Sequence, residues 1–523
     1  MKSAPFLLQS VCPMLTSDAK CDTIIKYARV RSKRSWTVAS DSLKEWRENG
    51  MTAIKRMLHP KKHDVDMTEG SIVKHLLMFA LPLLVGNVFQ QLYNMVDTWV
   101  VGNYVSNEAF SAVGSVGPII NTLIGFFVGF SGGAGAVISQ YYGAKREERV
   151  RDTAHTMVVV TLLLGVAFTA VGILMTPHML RLTKTPEEVF PEAQSYLNIY
   201  FSGILGLMLY NIGSGILRAV GDSRRPFYFL VVSAVLNIVL DLVFVLKLGM
   251  GVEGVAYATV ISQAVSAILV FITLMRTTSC VRIFPSRLRI HPDLLGKIVR
   301  VGLPAAIQLG ITAFSNVFVQ SYINALGTDL MSAWTAYAKI DQLMFLPMQS
   351  LAMASTTFVG QNLGNRDEPR AKKGVNTAVL LAVSITALIM LPILIFAPQM
   401  VAFFNDKAQV VSYGTLLLHA ITPFYLFCCI NQVYASSLRG AGNSRAAMII
   451  LLSSFVGFRQ VYLYVVSSLV AHLPIAEQIL PIAMSYPAGW MLCTVIMFIY
   501  YRRVGLRGKQ IVEDLPKPEE ATD

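Results

Sequence analysis

From residue 71 onward the sequence alternates long apolar runs with short polar connections. The run over residues 227–246 sets the scale. It has about the 20 residues that carry an α-helix across a bilayer core. Twelve such helices are expected, near 71–101, 108–142, 150–176, 190–219, 226–247 and 254–276, then near 293–325, 330–362, 368–397, 408–440, 445–470 and 476–502. Several exceed the minimum length, so they tilt or project beyond the hydrocarbon. The pattern describes an all-α polytopic membrane protein.

The two halves of this pattern repeat. Leu81-Pro82 matches Leu303-Pro304 at an offset of 222 residues. Gln140-Tyr-Tyr-Gly143 matches Gln361-Asn-Leu-Gly364 at 221, and Leu217-Arg-Ala-Val-Gly-Asp-Ser-Arg224 matches Leu438-Arg-Gly-Ala-Gly-Asn-Ser-Arg445 at 221. Two pseudosymmetric six-helix lobes follow. Six is even, so the repeats run parallel about an axis along the membrane normal, an architecture suited to alternating access. The expected organisation is a flexible cytoplasmic extension over 1–66, an N-lobe over 67–276, a basic cytoplasmic linker over 277–292, a C-lobe over 293–505 and a polar cytoplasmic tail over 506–523. The extension could equally be an over-long gene start, with Met51, Met57 and Met67 as internal starts. It is too interrupted to read as a signal peptide.

Composition agrees with the helix count. The chain is 54% hydrophobic and 14% charged, where a soluble domain carries about 25% charged residues. The net charge of +13 does not point to nucleic acid, because the basic residues recur between apolar runs. Twenty-three Lys and Arg fall in or beside one set of connections and four (Arg181, Lys184, Lys247 and Lys407) in the alternate set. That bias places both termini in the cytoplasm of a multi-pass plasma-membrane protein. The six cysteines, Cys12, Cys21, Cys280, Cys428, Cys429 and Cys493, have no metal-ligand spacing, so neither a zinc site nor a disulfide framework is expected.

The candidate chemistry lies inside the apolar runs. Asn237 and Asp241 are four apart and share a helix face, and Asp97 sits in the first run. A carboxylate at membrane depth is costly unless it faces protein or water and finds a partner, and such acids mark ion pathways by default. An oxygen-rich group of this kind suits a proton or a small hard cation. The acids are not copied into the second half, where Val319, Phe458 and Tyr462 stand at the matching positions. A purely architectural role would have been copied.

Together these residues resemble the multidrug and toxic compound extrusion (MATE) family. The likeness spans roughly residues 70–505 and rests on the six-plus-six repeat, Gln140-x-x-Gly143, and the two Leu-Arg-x-x-Gly-[Asp/Asn]-Ser-Arg segments. It is most similar to the DinF-type and archaeal-type branch. That resemblance implies a proton or cation site at Asp97, Asn237, Asp241 and Thr259, and a helix 1 bend at Pro82. The NorM-type branch also places carboxylates on helices 7 and 10. Here helix 7 reads Leu303-Pro-Ala-Ala-Ile-Gln-Leu-Gly-Ile-Thr312, and 420–438 holds no acid.

In the second half, Asp341 and Arg459 are expected to pair with each other or with polar neighbours. The alternative has Asp341 contacting cationic substrate, with Tyr337, Met344 and Met348 lining a cavity, since methionine adapts its shape. The alternative for the methionines is helix packing. Ser131, Gly132, Gly133 and Gly135 lack the Lys-Ser/Thr of a phosphate loop and are read as helix-contact residues. The functional expectation is a monomeric secondary exporter of amphipathic, often cationic organic compounds against H⁺ or Na⁺. It would need no cofactor, and its partners would be membrane lipid and the transported compounds. A lipid or lipid-linked saccharide flippase is the alternative. No nucleophile–base or metal constellation suggests an enzyme.

Overall fold

The computed structural model describes residues 64–183, 185–506 and 511–512. Most of the expected extension, with Cys12 and Cys21, lies outside the described residues, as do Lys184, Arg507, Lys509 and most of the tail. Among the described residues, eleven helices are long and apolar enough to cross a membrane, and one bent pair forms a twelfth span. In chain order these are α1 (Ile72–Tyr104), α2 (Asn107–Gly143), α3 (Glu147–Leu182), α4 (Phe190–Ser202 with Ile204–Ala219), α5 (Arg224–Lys247) and α6 (Gly251–Arg276). The second six are α7 (Pro292–Asn324), α8 (Thr328–Gly364), α9 (Glu368–Ile395), α10 (Ala408–Gly440), α11 (Ser444–Val470) and α12 (Ile475–Val504). Most ends match the sequence pattern to within a turn. The end of α3 runs farther, because Pro177 lies within the helix and did not stop it.

The fourth helix of each half is broken at equivalent places. α4 bends by 46° at Gly203, where a Cβ would press on Val260 of α6, with Cγ2 at 2.5 Å. α10 is interrupted by the 3₁₀ turn Thr422–Phe424, at the position matching Gly203. Neither break stands out in a hydropathy trace.

The halves interlock. Leu76, Phe79, Ala80 and Leu83 at the start of α1 belong to the C-lobe core, with α8 residues such as Tyr337 and Met344. In mirror fashion, Leu294, Ile298 and Val301 at the start of α7 join the N-lobe core around Tyr141 and Ile216. The α2–α7 crossing is backbone on backbone. A Cβ on Gly129 would sit 2.5 Å from the Ala305 oxygen, and one on Gly133 would sit 2.6 Å from Gly302 Cα. Small residues permit such approach between membrane helices. Of the glycines singled out above, Gly133 serves this role, whereas Gly132 faces open space.

At the basic face the repeated Gln-x-x-Gly segments form a two-fold clasp. Gln140 on α2 donates to the Gly440 carbonyl of α10 at 2.8 Å. Its counterpart Gln361 on α8 donates to the Ala219 carbonyl of α4 at 3.1 Å. Each amide oxygen then accepts a backbone N–H from one end of the chain: Gln361 from Met67 at 2.9 Å, Gln140 from Ile511 at 3.1 Å. Met67 is 1% exposed, and Asn362 and Arg370 both donate to its carbonyl. Residues 64–66, assigned by sequence to the extension, are therefore tied into the fold by hydrogen bonds: Val65 donates to the Val220 carbonyl at 3.0 Å and Ser279 donates to Asp64. Ile511 and Val512, assigned to the polar tail, are buried in the N-lobe core. Their few apolar side chains were too short a run to register as an element.

The 277–292 linker is docked rather than free. The Phe284 N–H donates to His155 Nε2 of α3 at 3.0 Å. Its ring lies beneath the guanidinium groups of Arg151, Arg282 and Arg287, an arrangement each cation–π contact stabilises modestly.

Candidate functional site

α5 places two of the predicted residues. Asn237 and Asp241 lie on one face of its regular part, buried at 1% and 0% exposure. Directly after Asp241 the helix widens into a π-helical turn, Leu242–Lys247. Such turns break the regular hydrogen-bond ladder and recur at functional sites. α1 runs continuously through Pro82 and brings Asp97 to the same place. The Asp97 and Asp241 carboxyls lie within hydrogen-bonding reach of each other. No hydrogen bond satisfies Asp97 Oδ1, either Asp241 oxygen, or either polar atom of the Asn237 amide.

This is an uncompensated arrangement. Among the described residues no Lys, Arg or His forms an ion pair with Asp97 or Asp241. Two bare carboxylates in contact inside a membrane protein repel, and each carries a desolvation cost of several kcal/mol. A proton on one carboxyl turns it into a donor to the other and removes the repulsion. A small hard cation does the same by taking carboxylate and amide oxygens as ligands. The arrangement is thus chemically able to hold one positive charge. Thr259 lies on α6, buried, and its hydroxyl donates back to the Val255 carbonyl at 3.0 Å. Its proton is thus committed to its own helix, leaving only oxygen lone pairs for a ligand.

Two tyrosines that the sequence reading did not single out lie near the acids, and a third lies near those two. Tyr93 on α1 and Tyr196 on α4 lie within electrostatic range of Asp97, and Tyr196 also of Asp241; Tyr200 adjoins both tyrosines. Spacing carried a signal for them. Tyr93 precedes Asp97 by four residues, and Tyr196 and Tyr200 are four apart, so each pair shares a helix face.

The C-lobe residues divide differently. Tyr337 donates to Asp341 Oδ1 at 3.4 Å and meets the Tyr425 hydroxyl at 3.0 Å. Asp341 is half-buried, and Lys339 is exposed. Met344 and Met348 are packed in the C-lobe core at 2% and 0% exposure. Arg459 donates to Ser315 Oγ at 2.9 Å and Asn316 Oδ1 at 3.0 Å. Asp341 and Arg459 thus each find neutral polar neighbours. The described residues show no ion pair between them.

The outside comparisons agree with the repeat. The MatE family model matches residues 82–243 and again 304–465, so its two matches begin at Pro82 and Pro304. The chain is 29% identical over 441 residues to the probable multidrug resistance protein YoeA of Bacillus subtilis, covering 83% of this chain and 94% of that protein. It is 28% identical to the probable multidrug resistance protein NorM of Thermotoga maritima, covering 73% and 83%. In fold it is similar to a solved outward-facing multidrug resistance MATE family transporter of the MOP superfamily, with a TM-score of 0.78 at 24% identity over 85% of this chain and 98% of the other. With both six-helix halves matched in sequence and the whole bundle matched in fold, the chain belongs to the MATE family of membrane transporters.

Proposed function

We propose that this protein is a multidrug exporter that expels amphipathic, often cationic organic compounds in exchange for H⁺ or Na⁺. The observation that carries the reading is the contact between Asp97 and Asp241, two buried acids with no basic partner among the described residues and an unpartnered Asn237 amide beside them. Asp97 and Asp241 take up and release the coupling ion. Asn237 and the Thr259 oxygen supply further ligands if that ion is Na⁺. Pro82 lets α1 bend when the ion binds, because no backbone N–H ties it to the preceding turn. Tyr337 and Asp341 meet the cationic part of the substrate, while Met344 and Met348 pack behind them in the C-lobe core. No cofactor takes part.

The basic face is the cytoplasmic one, on the strength of the charge bias, in the plasma membrane. The protein acts as a monomer, each lobe rocking against the other. The names of relatives support the export reading, since several are multidrug resistance or multidrug export proteins. The ion does its work by binding the two access states with different affinity.

The test is export from liposomes holding the purified protein, with H⁺ and Na⁺ gradients imposed separately. One gradient should drive a cationic dye against its concentration. Equal dye movement with and without either gradient would remove the exchange mechanism. Movement of a labelled lipid between leaflets in place of dye would favour the flippase.

A further inference from the structure

The C-lobe carries its own buried charge at nearly the repeat-equivalent place, and its sign is reversed. Arg459 stands three residues before Tyr462, the counterpart of Asp241, and so on the same helix face one turn away. Its partners Ser315 and Asn316 on α7 lie one turn before Val319, the counterpart of Asp97. The same helix pair that joins two acids in the N-lobe thus holds a guanidinium in the C-lobe. Both charges adjoin a π-helical turn: Leu242–Lys247 begins after Asp241, and Ser453–Phe458 ends before Arg459.

Arg459 is 3% exposed, in the middle of α11. Its hydrogen bonds reach only a hydroxyl and an amide oxygen, and its Nε–H is buried without an acceptor. Among the described residues no carboxylate lies within ion-pair distance of it. A guanidinium does not shed its proton in a protein, so the charge persists and needs a counter-charge. An aromatic wall adjoins it. The guanidinium carbon sits 4.7 Å from the Tyr486 ring centre, with Trp334 and Trp490 at 5.7 and 6.0 Å from that ring.

We propose that Arg459 receives a carboxylate of the transported compound, with the compound's aromatic skeleton against Tyr486. A planar fork of donors matches a carboxylate, and the free Nε–H supplies the missing bond. A zwitterion would then sit with its cationic end at Asp341 and its acid end at Arg459. This deepens the exporter reading and rests on it.

A matched pair of dyes tests it: a carboxylate-bearing rhodamine and its methyl ester, which share ring system and cationic charge. Binding is read by fluorescence anisotropy with the full chain in detergent, and export in gradient-loaded liposomes. Arg459→Gln should lower the acid-to-ester affinity ratio by about tenfold or more, as expected when a charged hydrogen-bonded partner is lost. Arg459→Lys, which keeps charge without the fork, should retain part of the preference and guards against misreading a folding defect. An unchanged ratio in both variants overturns the proposal, as does equal weakening of both dyes. Failure of wild-type protein to export the ester would instead sink the exporter reading beneath it.

Discussion

The clasp at the basic face predicts what one methyl group should do there. Gly143 of α2 lies against the Gln361 backbone of α8. A Cβ on Gly143 would overlap the Gln361 carbonyl oxygen and sit 2.6 Å from its carbon and 2.8 Å from its Cα. The mirror contact is equally tight, with a Cβ on Gly364 placed 2.8 Å from the Gln140 carbonyl carbon. Carbon atoms rest at about 3.5–4.0 Å, so Gly143→Ala forces the two helices roughly 1 Å apart at the crossing. Backbone cannot rotate away as a side chain can, and overpacking of this kind costs about 1–3 kcal/mol. The cost falls only on the state in which this face is closed. At 1.4 kcal/mol per decade, the open population should rise about 5- to 150-fold, with Gln140–Gly440 and Gln361–Ala219 the bonds lost. Spin labels on cysteines at Glu148 and Asn365 would read the change as a longer distance between α3 and the end of α8. Gly132→Ala is the control, because a Cβ there meets nothing within 4 Å. A wild-type distance distribution in Gly143→Ala, with Gly364→Ala equally silent, would refute the reasoning.

A chain beginning at residue 64 should keep its thermal stability in detergent, whereas one beginning at residue 71 should lose roughly 2–3 kcal/mol. It gives up the buried Met67 side chain and its bonds to Gln361 and Arg370; equal melting of the two would show that the segment contributes nothing. Asp222, in the loop before α5, is pushed up to about 6 by burial, which outweighs Arg225 and the Arg224 and Arg225 N–H groups that hold it. A carboxyl raised above its usual value favours the folded state below about pH 4, and that contribution fades as pH rises through 6. Asp222→Asn, which copies Asn443 of the second repeat, should therefore flatten the melting profile between about pH 4 and 7, and an unaltered profile would contradict this. Cysteines at Lys145, Arg224 and Asn365 should react with impermeant reagents only from the cytoplasm, and those at Thr183, Leu248 and Asp406 only from outside; a reversed pattern would invert the assigned topology.

Much of the fold was legible because bilayer physics is coarse. Twelve apolar runs and a 221-residue offset were enough to place the helices, and the family model matches the same two halves. The acids stood out for the same reason: a charge in an apolar run is conspicuous and expensive. What escaped the sequence depended on contacts between distant segments. Met67 and Ile511 sit in polar surroundings along the chain, and only the fold brings them to Gln361 and Gln140. Tyr196 looks like an ordinary core aromatic until the fold brings α4 beside the acids. Arg459 was visible, but its meaning came from the partners Ser315 and Asn316 and from the helix pair it shares with the N-lobe site. The packed state of Met344 and Met348 likewise could not be told from a stripe of apolar residues at helical spacing.

The central claim is that ion coupling resides in the N-lobe pair, and gradient-driven uptake of a cationic dye into liposomes by charge-removing variants measures it most directly. Asp97→Asn and Asp241→Asn keep size and polarity, so both should reach the membrane folded. Neither can cycle a proton, and each weakens oxygen coordination of a cation. Each should abolish or severely reduce gradient-driven transport, while dye binding without a gradient survives, since linkage requires only that the ion's differential binding be lost. Asp341→Asn should alter substrate preference and leave the response to the gradient in place. Wild-type driven transport in both N-lobe variants, together with its loss in Asp341→Asn, would move the ion site to the C-lobe and contradict the account.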